Sequence, residues 1–306
     1  MMKKRKWIIA VAAIVLIVTG CSSAAEEYEF VIAEREQIDH IHGVGYPNNK
    51  EELFVATHDG LMKFFEGKWL EANSNRNDYM GFQPYQDGFY SSGHPGAESE
   101  LKNPLGLVKS TDQGGTLEKL AFYGETDFHY LAAGYKSGII YVINEQPNSV
   151  LERGFYVTEN EGETWKKVSM EGFESESIGN IAVHPSDSTV VAIAGKDGVF
   201  LSKDQGENFS KVPNTSKVTG IAMSESNGLF GSILQDKIQL YEWNVSDGSI
   251  APFPTPPLEE DNPIMYIASN PQNEQGWSIV TYKNNIYITE DNGENWKDIS
   301  NVRENS

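Results

Sequence analysis

The sequence predicts an all-β fold, a closed β-propeller of six similar blades, from three observations. A short motif, Ser/Thr-x-Asp/Asn-x-Gly-x-x-apolar, occurs four times in the 306 residues. Successive copies start 48, 44 and 87 positions apart, and the last interval is close to twice the others. Between the copies lie short apolar or alternating runs of strand length. A repeat of about 44 residues suits a four-stranded blade, and the chain holds six of them, although seven blades are also compatible.

The repeated motif has the chemistry of a tight turn between two antiparallel strands. Its carboxylate or amide accepts backbone N–H bonds, its glycine supplies a positive φ, and the final apolar residue packs beside the turn. The four copies occupy residues 110–117, 158–165, 202–209 and 289–296. Degenerate copies are expected at Asp247-Gly248 and at residues 66–69, which completes six units between about His40 and Val302.

Each unit is expected to contain four short strands, with the repeated turn joining the third strand to the fourth. The apolar runs that open the units are expected to be innermost strands, buried between neighbouring blades. These runs begin at His40, Asp78, Asp127, Ile178, Lys217 and Ile264. Residues 28–33 predict one further strand that helps to close the ring, at a place that the pattern leaves open.

The first 21 residues have the pattern of an export signal. Residues 3–6 are basic, and residues 7–18 form an apolar run of twelve, which is too short to span a bilayer. The run ends in Val18-Thr19-Gly20-Cys21, which resembles the lipobox of bacterial lipoproteins. That resemblance implies that Cys21 becomes a diacylated N-terminus carrying palmitate. The alternative is an ordinary secretory signal with a chance cysteine.

These features divide the chain into a signal peptide over residues 1–21, a tether and leading strand over residues 22–39, and a propeller over residues 40–306. The predicted location is the extracytoplasmic face of the cell membrane, where the N-terminal lipid is the anchor. Cys21 is the only cysteine, so no disulfide forms within the chain and the ring of sheets must supply the stability.

The net charge restricts the class of partner. Removing residues 1–21 removes four basic and no acidic residues, which leaves a mature net charge of about −24. Such a surface repels nucleic acid and anionic membranes, so no nucleic-acid partner is expected. It is compatible with cations and with neutral or basic partners, and it is also a common solubility feature of exported proteins.

Propeller topology predicts the face on which each histidine lies. The segment leading into the first strand of a blade and the turn between its second and third strands share one face of the disc. Five of the six histidines fall on that face, namely His40, His42, His58, His94 and His129. His184 is expected in a plain turn on the opposite face.

The pair His40-x-His42 is the main indication of a metal site. Alternation along a strand points both imidazoles to the same side, and His129 lies at the start of unit three of the three consecutive units that carry these histidines. We therefore predict His40, His42 and His129 as ligands of a divalent transition metal such as zinc or copper. Three more side chains are predicted to bind ligand: His58, His94 and Arg76. Two other interpretations stay open, a polar pocket in which histidines bind substrate or exchange protons, and ordinary turn or packing roles.

Asp78 and Asp127 are the candidate catalytic carboxylates. They begin the innermost strands of adjacent units at matching positions, which would place both near the central opening. The alternative is capping of backbone N–H groups where each strand begins. Asp59, within His58-Asp59-Gly60, is instead expected to form a turn. The insertion at residues 91–104, which carries His94, is expected either to shape a binding mouth or to be a surface loop.

The repeated motif resembles the Asp-box, or BNR repeat, of β-propellers such as sialidases, photosystem assembly factors and sortilin-type receptors. The mature chain also resembles a group of bacterial lipoproteins described as glycosyl hydrolase-like or sialidase-like. The likeness is carried by His40-Ile41-His42-Gly43, Thr57-His58-Asp59-Gly60-Leu61, Ser92-Gly93-His94-Pro95-Gly96, Asn103-Pro104-Leu105-Gly106-Leu107 and Asp127-Phe128-His129. It implies the fold and leaves open whether the protein is an enzyme, since propellers have many functions.

The sialidase mechanism itself does not carry over. That family holds the substrate carboxylate with three arginines and uses a tyrosine nucleophile. Beyond the signal the chain has four arginines, of which only Arg76 and Arg153 can face the opening, so the clamp cannot form. No nucleotide-binding or other helical catalytic motif is present.

Two functions remain. The favoured one is a membrane-anchored, extracytoplasmic binding module that holds a metal, a glycan or other small ligand, or an envelope protein on its histidine-rich face. The alternative is a glycoside hydrolase in which Asp78 or Asp127 acts on a neutral glycan.

Overall fold

Six antiparallel sheets follow one another along the chain in the computed structural model, which describes residues 27–303. Five sheets have four strands each, and the first has five. The only helical element among the described residues is a short 3-10 helix at Pro47–Asn49. The predicted all-β, six-bladed β-propeller is confirmed, and the number of sheets decides against seven blades.

The strands of each blade follow one another from the propeller axis outward, except that blade 1 has an extra strand, β1, at its outer edge, so that β2 to β5 are its first to fourth strands. Blade 1 contains β1 (Phe30–Ile32), β2 (Ile41–Gly45), β3 (Leu53–Thr57), β4 (Gly60–Phe65) and β5 (Lys68–Ala72). Blade 2 contains β6 (Gln83–Tyr85), β7 (Gly88–Ser91), β8 (Leu107–Ser110) and β9 (Glu118–Ala121). Blade 3 contains β10 (Leu131–Ala133), β11 (Ile140–Asn144), β12 (Gly154–Thr158) and β13 (Lys166–Lys167).

Blades 4 to 6 repeat the pattern. Blade 4 contains β14 (Asn180–Val183), β15 (Val191–Gly195), β16 (Gly198–Ser202) and β17 (Ser210–Lys211). Blade 5 contains β18 (Val218–Met223), β19 (Asn227–Leu234), β20 (Lys237–Asn244) and β21 (Ile250–Phe253). Blade 6 contains β22 (Ile264–Ser269), β23 (Trp277–Thr281), β24 (Ile286–Thr289) and β25 (Lys297–Asp298).

The second strand of a blade is buried on both faces because neighbouring blades cover it. Every residue of β3 and every residue of β15 is buried. Apolar side chains from adjacent blades pack into shared clusters, as Val183 of blade 4 does with Val157 of blade 3. Each fully buried side chain of this size contributes roughly 1.5–3 kcal/mol. The ring therefore holds its blades in fixed relative positions.

The ring closes by side-chain packing between the last blade and the first. Trp69 of β5 is fully buried, packs with Ile286 and Ile299, and donates its indole N–H to the Ile299 carbonyl at 2.7 Å. The strand expected within residues 28–33 is β1, and it pairs with β5 so that Phe30 lies opposite Ala72. It forms the outer edge of blade 1, and Ala33, the residue after it, belongs to the apolar cluster that also contains Ile286 and Ile299 of the last blade. A role of this segment in closing the ring stays a prediction.

The four repeated turns share one hydrogen-bond pattern. In blade 4, Ser202 Oγ donates to Asp204 Oδ1 at 2.7 Å and accepts from Gly206 N at 2.8 Å, while Asp204 Oδ1 accepts from Asn208 N at 2.9 Å. Gly206 has φ of 84°, which the missing Cβ makes favourable. The same bonds recur in the turns that begin at residues 110, 158 and 289.

Two innermost strands begin later than predicted. The expected starts were Asp78 and Asp127, whereas β6 begins at Gln83 and β10 at Leu131. The backbone of Asp78 pairs instead with that of His94, donating to its carbonyl at 2.9 Å and accepting from its amide at 3.0 Å. The backbone N–H and C=O of Asp78 thus bond to the loop that carries His94, and they are not available to extend β6.

The export signal and Cys21 lie outside the described residues. Among the residues that are described, no helix has both the length and the apolar character needed to cross a membrane.

Candidate metal centre

Five histidines meet at one face of blades 1 to 3. His42 lies in β2, and His40 directly precedes that strand; His58 lies in the tight turn between β3 and β4. His94 follows β7, and His129 precedes β10. The topological prediction that these histidines share one face agrees with this placement.

Local backbone features aim the histidines inward. Thr57 Oγ1 accepts from the Asp59 amide at 3.1 Å and donates to the Gly60 carbonyl at 2.9 Å, which holds the turn that carries His58. Gly93 has φ of 114°, and a Cβ there would lie 2.1 Å from the Asp78 carbonyl oxygen. Only glycine at position 93 allows the backbone next to His94 to approach the backbone of Asp78 so closely.

The first cluster, here the Asp78 group, consists of His42, His58 and Asp78. His42 Nε2 lies 3.3 Å from Asp78 Oδ1, and His58 Nε2 lies 3.8 Å from Asp78 Oδ2. One donor atom from each residue falls within 4.8 Å of the others, a condition that no other trio of His, Cys, Asp or Glu meets within residues 27–303. His42 Nε2 and Asp78 Oδ1 are both buried and neither makes a hydrogen bond.

The surroundings of His42 keep its imidazole neutral. Burial lowers the pKa of His42 below its usual value, and the neighbouring His58, His40 and His129 lower it further, against an opposing effect of Asp78. The rings of His42 and His58 stack at 4.5 Å, and those of His40 and His58 lie 5.0 Å apart. A neutral imidazole retains a nitrogen lone pair, which is the form that binds metals.

The second cluster, here the Asp127 group, consists of His94, Asp127 and His129. Both Nε2 atoms approach the same carboxylate oxygen, Asp127 Oδ2, at 3.3 Å each. The other carboxylate oxygen, Oδ1, is buried and has no hydrogen-bond partner. The cluster is more open than the Asp78 group, because its three donor atoms do not all lie within 4.8 Å of one another.

The outer nitrogens of the Asp127 group have partners of their own. His94 Nδ1 lies 2.7 Å from Asn103 Oδ1, and an amide oxygen can only accept, so Nδ1 carries the hydrogen and Nε2 the lone pair. His129 Nδ1 lies 3.2 Å from Glu145 Oε2. A carboxylate or amide acceptor on the outer nitrogen is the usual support of a metal-binding histidine.

Arg76, predicted to bind ligand, is engaged elsewhere on blade 1. Its Nη1 lies 3.1 Å from Asp59 Oδ2, its Nη2 lies 3.6 Å from Glu71 Oε2, and its Nε donates to the Ala72 carbonyl at 3.1 Å. Arg35 binds the same two carboxylates. The guanidinium thus belongs to an ion-pair network, and its role toward a ligand stays a prediction.

His184 lies in the turn between β14 and β15, apart from the other histidines. Its Nε2 contacts the Glu225 carbonyl at 3.0 Å, and its Nδ1 accepts from the amides of Ser186 and Asp187. These contacts fix a turn, which suits His184 as a control for experiments on the other five.

A cavity of about 680 Å³ runs along the axis between the innermost strands, and His42 and His129 form part of its wall. Its lining is mixed, with the methionines Met80, Met223 and Met265 beside polar groups such as Asn180. The clusters thus have access to a space large enough for a small molecule.

Two residues of the site were not identified from the sequence. Glu145 follows the second strand of blade 3, a position equivalent to the turn of blade 1 that holds His58, so the topological rule could have included it. Asn103 lies within the insertion at residues 91–104 and begins one of the motifs that carry the family resemblance, which was the signal that could have found it.

Comparisons with known proteins give structural neighbours only. No family model and no curated protein matches the chain. A GH74 xyloglucanase from Xanthomonas campestris is 13% identical with a TM-score of 0.55, over 89% of this chain and 46% of that one. A GH74 enzyme from Niastella koreensis is 14% identical with a TM-score of 0.55, over 88% and 46%. YCF48 bound to D1 peptide is 10% identical with a TM-score of 0.51, over 90% and 85%.

These similarities show the fold. At such identities they do not carry residue roles, and the chain spans less than half the length of the two GH74 enzymes.

Proposed function

We propose that the protein is a metal-binding propeller module that holds a divalent transition metal at the Asp78 group. The observation that carries the proposal is the pair of buried atoms without hydrogen bonds, His42 Nε2 and Asp78 Oδ1, which lie 3.3 Å apart. Burying polar atoms without partners is unfavourable unless something else satisfies them. A cation between a lone pair and a carboxylate oxygen would do so.

The spacing of the donor atoms suits such an ion. Zinc binds nitrogen and oxygen ligands at about 2.0–2.1 Å in tetrahedral geometry, which places two ligand atoms about 3.3 Å apart. His42 and Asp78 have this spacing already. His58 Nε2 lies 3.8 Å from the other carboxylate oxygen, Oδ2, and its side chain is 55% exposed, so that rotation of the imidazole can bring it to an ion at this carboxylate. A fourth position would then be free for water or a ligand.

The chemistry of the donors narrows the choice of metal. Two imidazoles and one carboxylate favour zinc or copper over magnesium or calcium, which prefer oxygen ligands. The acidic surface of the chain would also concentrate cations near the site.

We also propose that the module is held at the extracytoplasmic face of the cell membrane through lipid on Cys21. The basis is the Val18-Thr19-Gly20-Cys21 sequence. Labelling cells with a palmitate analogue should tag the wild-type chain and leave a Cys21→Ser variant untagged. Equal labelling of the two would contradict the anchor.

A glycoside hydrolase is the second candidate. It is favoured by two carboxylates, Asp78 and Asp127, at corresponding blade junctions, whose partners His42 and His129 line the cavity of about 680 Å³. Against it, both carboxylates face imidazoles within 3.8 Å and are not directed toward open space.

Metal analysis of the purified full-length chain separates the candidates. The wild type and a His184→Ala control should retain metal after gel filtration, whereas His42→Ala/His58→Ala should lose the ion of the Asp78 group. If the double variant binds as much metal as the control, the proposed site is wrong. Metal-free protein that hydrolyses aryl glycosides would support the second candidate.

A further inference from the structure

We propose that the Asp127 group is a second metal position, so that the propeller carries a pair of divalent transition-metal ions across blades 1 to 3. The proposal deepens the proposed function and rests on it for the first ion only, because the second ion has its own ligands. Those ligands are His94, Asp127 and His129, with Asn103 and Glu145 as outer partners.

The imidazoles of the Asp127 group are oriented as ligands. Asn103 Oδ1 holds His94 Nδ1 at 2.7 Å, and Glu145 Oε2 holds His129 Nδ1 at 3.2 Å. Both remaining Nε2 atoms face Asp127 Oδ2 at 3.3 Å, which again matches the distance of about 3.3 Å between two ligands of one tetrahedral ion.

The carboxylate of Asp127 is more buried than the two imidazoles beside it, and it lacks a full set of hydrogen bonds. Its side chain is 12% exposed, and Oδ1 is buried with no hydrogen-bond partner. The two imidazoles are 43% and 48% exposed, so they can rotate toward a common ion. Each Nε2 atom already has ligand spacing to Asp127 Oδ2, and rotation of the two imidazoles would bring both within reach of one ion.

The two groups are built from the same pair of positions in successive blades. His58, between the second and third strands of blade 1, approaches Asp78, which precedes blade 2. His94, between the second and third strands of blade 2, approaches Asp127, which precedes blade 3. The blade repeat therefore places a histidine beside an aspartate at two successive junctions.

The pattern stops at the next junction. The connection between β11 and β12 has no histidine and carries Arg153, which lines a cavity of about 240 Å³ with Glu145 and Phe173. An arginine cannot act as a metal ligand at neutral pH, since its guanidinium stays protonated. The structure therefore supports two positions and gives no basis for a third at this junction.

The two positions are neighbours. The backbones of Asp78 and His94 form a bridge, and residues paired in this way have Cα atoms about 5.5 Å apart. One residue of each group is therefore attached to the same point of the fold. We therefore expect copper(II) ions bound at the two neighbouring positions to be magnetically coupled.

The test uses the full-length chain, zinc and copper(II). Zinc stoichiometry after gel filtration should be two per chain for the wild type and for the His184→Ala control. It should fall to one in His94→Ala/His129→Ala and to one in His42→Ala/His58→Ala. With copper(II), electron paramagnetic resonance should show a coupled pair in the wild type and an isolated ion in either double variant. Circular dichroism and thermal unfolding confirm that each variant is folded. If one is not, Asp127→Asn replaces His94→Ala/His129→Ala and Asp78→Asn replaces His42→Ala/His58→Ala, since both substitutions conserve shape.

The outcomes distinguish this inference from the proposed function. One zinc per wild-type chain, lost only with His42 and His58, would overturn the second position and leave the first. One zinc lost only with His94 and His129 would overturn the first position and the pair. One zinc lost in both double variants would mean a single shared ion, which also overturns the pair, and no zinc at all would overturn both proposals.

Discussion

Aspartates on the two faces of the propeller are used in opposite ways. In the repeated turns, Asp204 Oδ1 accepts hydrogen bonds from Ser202 Oγ and the Asn208 amide, and Oδ2 accepts from the Asn208 side chain. On the histidine face, Asp78 and Asp127 each have an oxygen that is buried and makes no hydrogen bond. A carboxylate whose oxygens all accept hydrogen bonds within its own turn stabilises that turn. A buried carboxylate with an oxygen that accepts no hydrogen bond can instead bind a cation.

The difference between the two faces is tested most directly by neutralising one carboxylate on each face. Asp78→Asn should weaken binding of the first metal ion by about 100-fold or more, because an amide oxygen is a poorer ligand and carries no charge. Asp204→Asn should leave metal binding unchanged, and blade 3 already carries Asn160 in that position with the same turn bonds. Calorimetric zinc titration measures both. Equal losses would show that the faces do not differ.

A smaller effect is expected from the outer partner of His129. Glu145→Gln should lower affinity for the second ion by about 10–100-fold, since outer-shell carboxylates orient and polarise metal-binding imidazoles. Affinity for the first ion should not change. Glu176→Gln, an exposed glutamate at the edge of the same small cavity, is the matched control. If both substitutions act alike, Glu145 has only a general electrostatic effect.

Removing a turn hydroxyl should affect stability and not metal binding. Ser202 is 1% exposed, and Ser202→Ala leaves the buried Gly206 amide without its acceptor, which should lower the free energy of unfolding by about 1–2 kcal/mol. Urea denaturation measures the loss. Ser210→Ala, at an exposed position of the same blade, should change stability by less than about 0.5 kcal/mol. A metal-binding defect in the Ser202 variant would contradict the division between faces.

The smallest expected effect is a difference in pH dependence of the metal-free chain. The pKa of His42 is lowered by burial, so the unfolded chain binds more protons and stability falls as pH drops below about 6.5, until His42 is protonated in the folded state as well. The pKa of Asp204 is lowered by the hydrogen bond from Asn208, so its contribution is lost only below about 3.9.

Urea midpoints at several pH values, with chelator present, resolve the two ranges. His42→Gln should remove the first decline and leave the acid decline intact. An unchanged profile would mean that His42 is not the group that titrates near neutrality.

The fold was predictable because its signal is periodic, whereas the clusters depend on contacts that no period encodes. The turn spacing gave the blade count, and propeller topology placed five histidines on one face. The same reasoning put the start of the blade 2 inner strand at Asp78, directly before the mainly apolar residues 79–82. The structure instead pairs the backbone of Asp78 with that of His94, a bridge that Gly93 permits, while the His94 side chain contacts Asp127.

The grouping of ligands differs for the same reason. His40, His42 and His129 were predicted as a set from strand alternation, whereas the donor atoms that lie together belong to His42, His58 and Asp78. Side chains that reach across a blade junction are set by the relative rotation of two sheets, which a single sequence does not reveal.

The ring is closed where blade 6 packs against blade 1, and the hydrogen bond from Trp69 to the Ile299 carbonyl lies at this interface. Both clusters lie at the junctions of blades 1, 2 and 3, which the backbone connects directly. Parting of the interface between blades 6 and 1 would turn the circle into an open arc and still leave each imidazole beside its carboxylate. The geometry of both clusters therefore does not depend on closure of the ring.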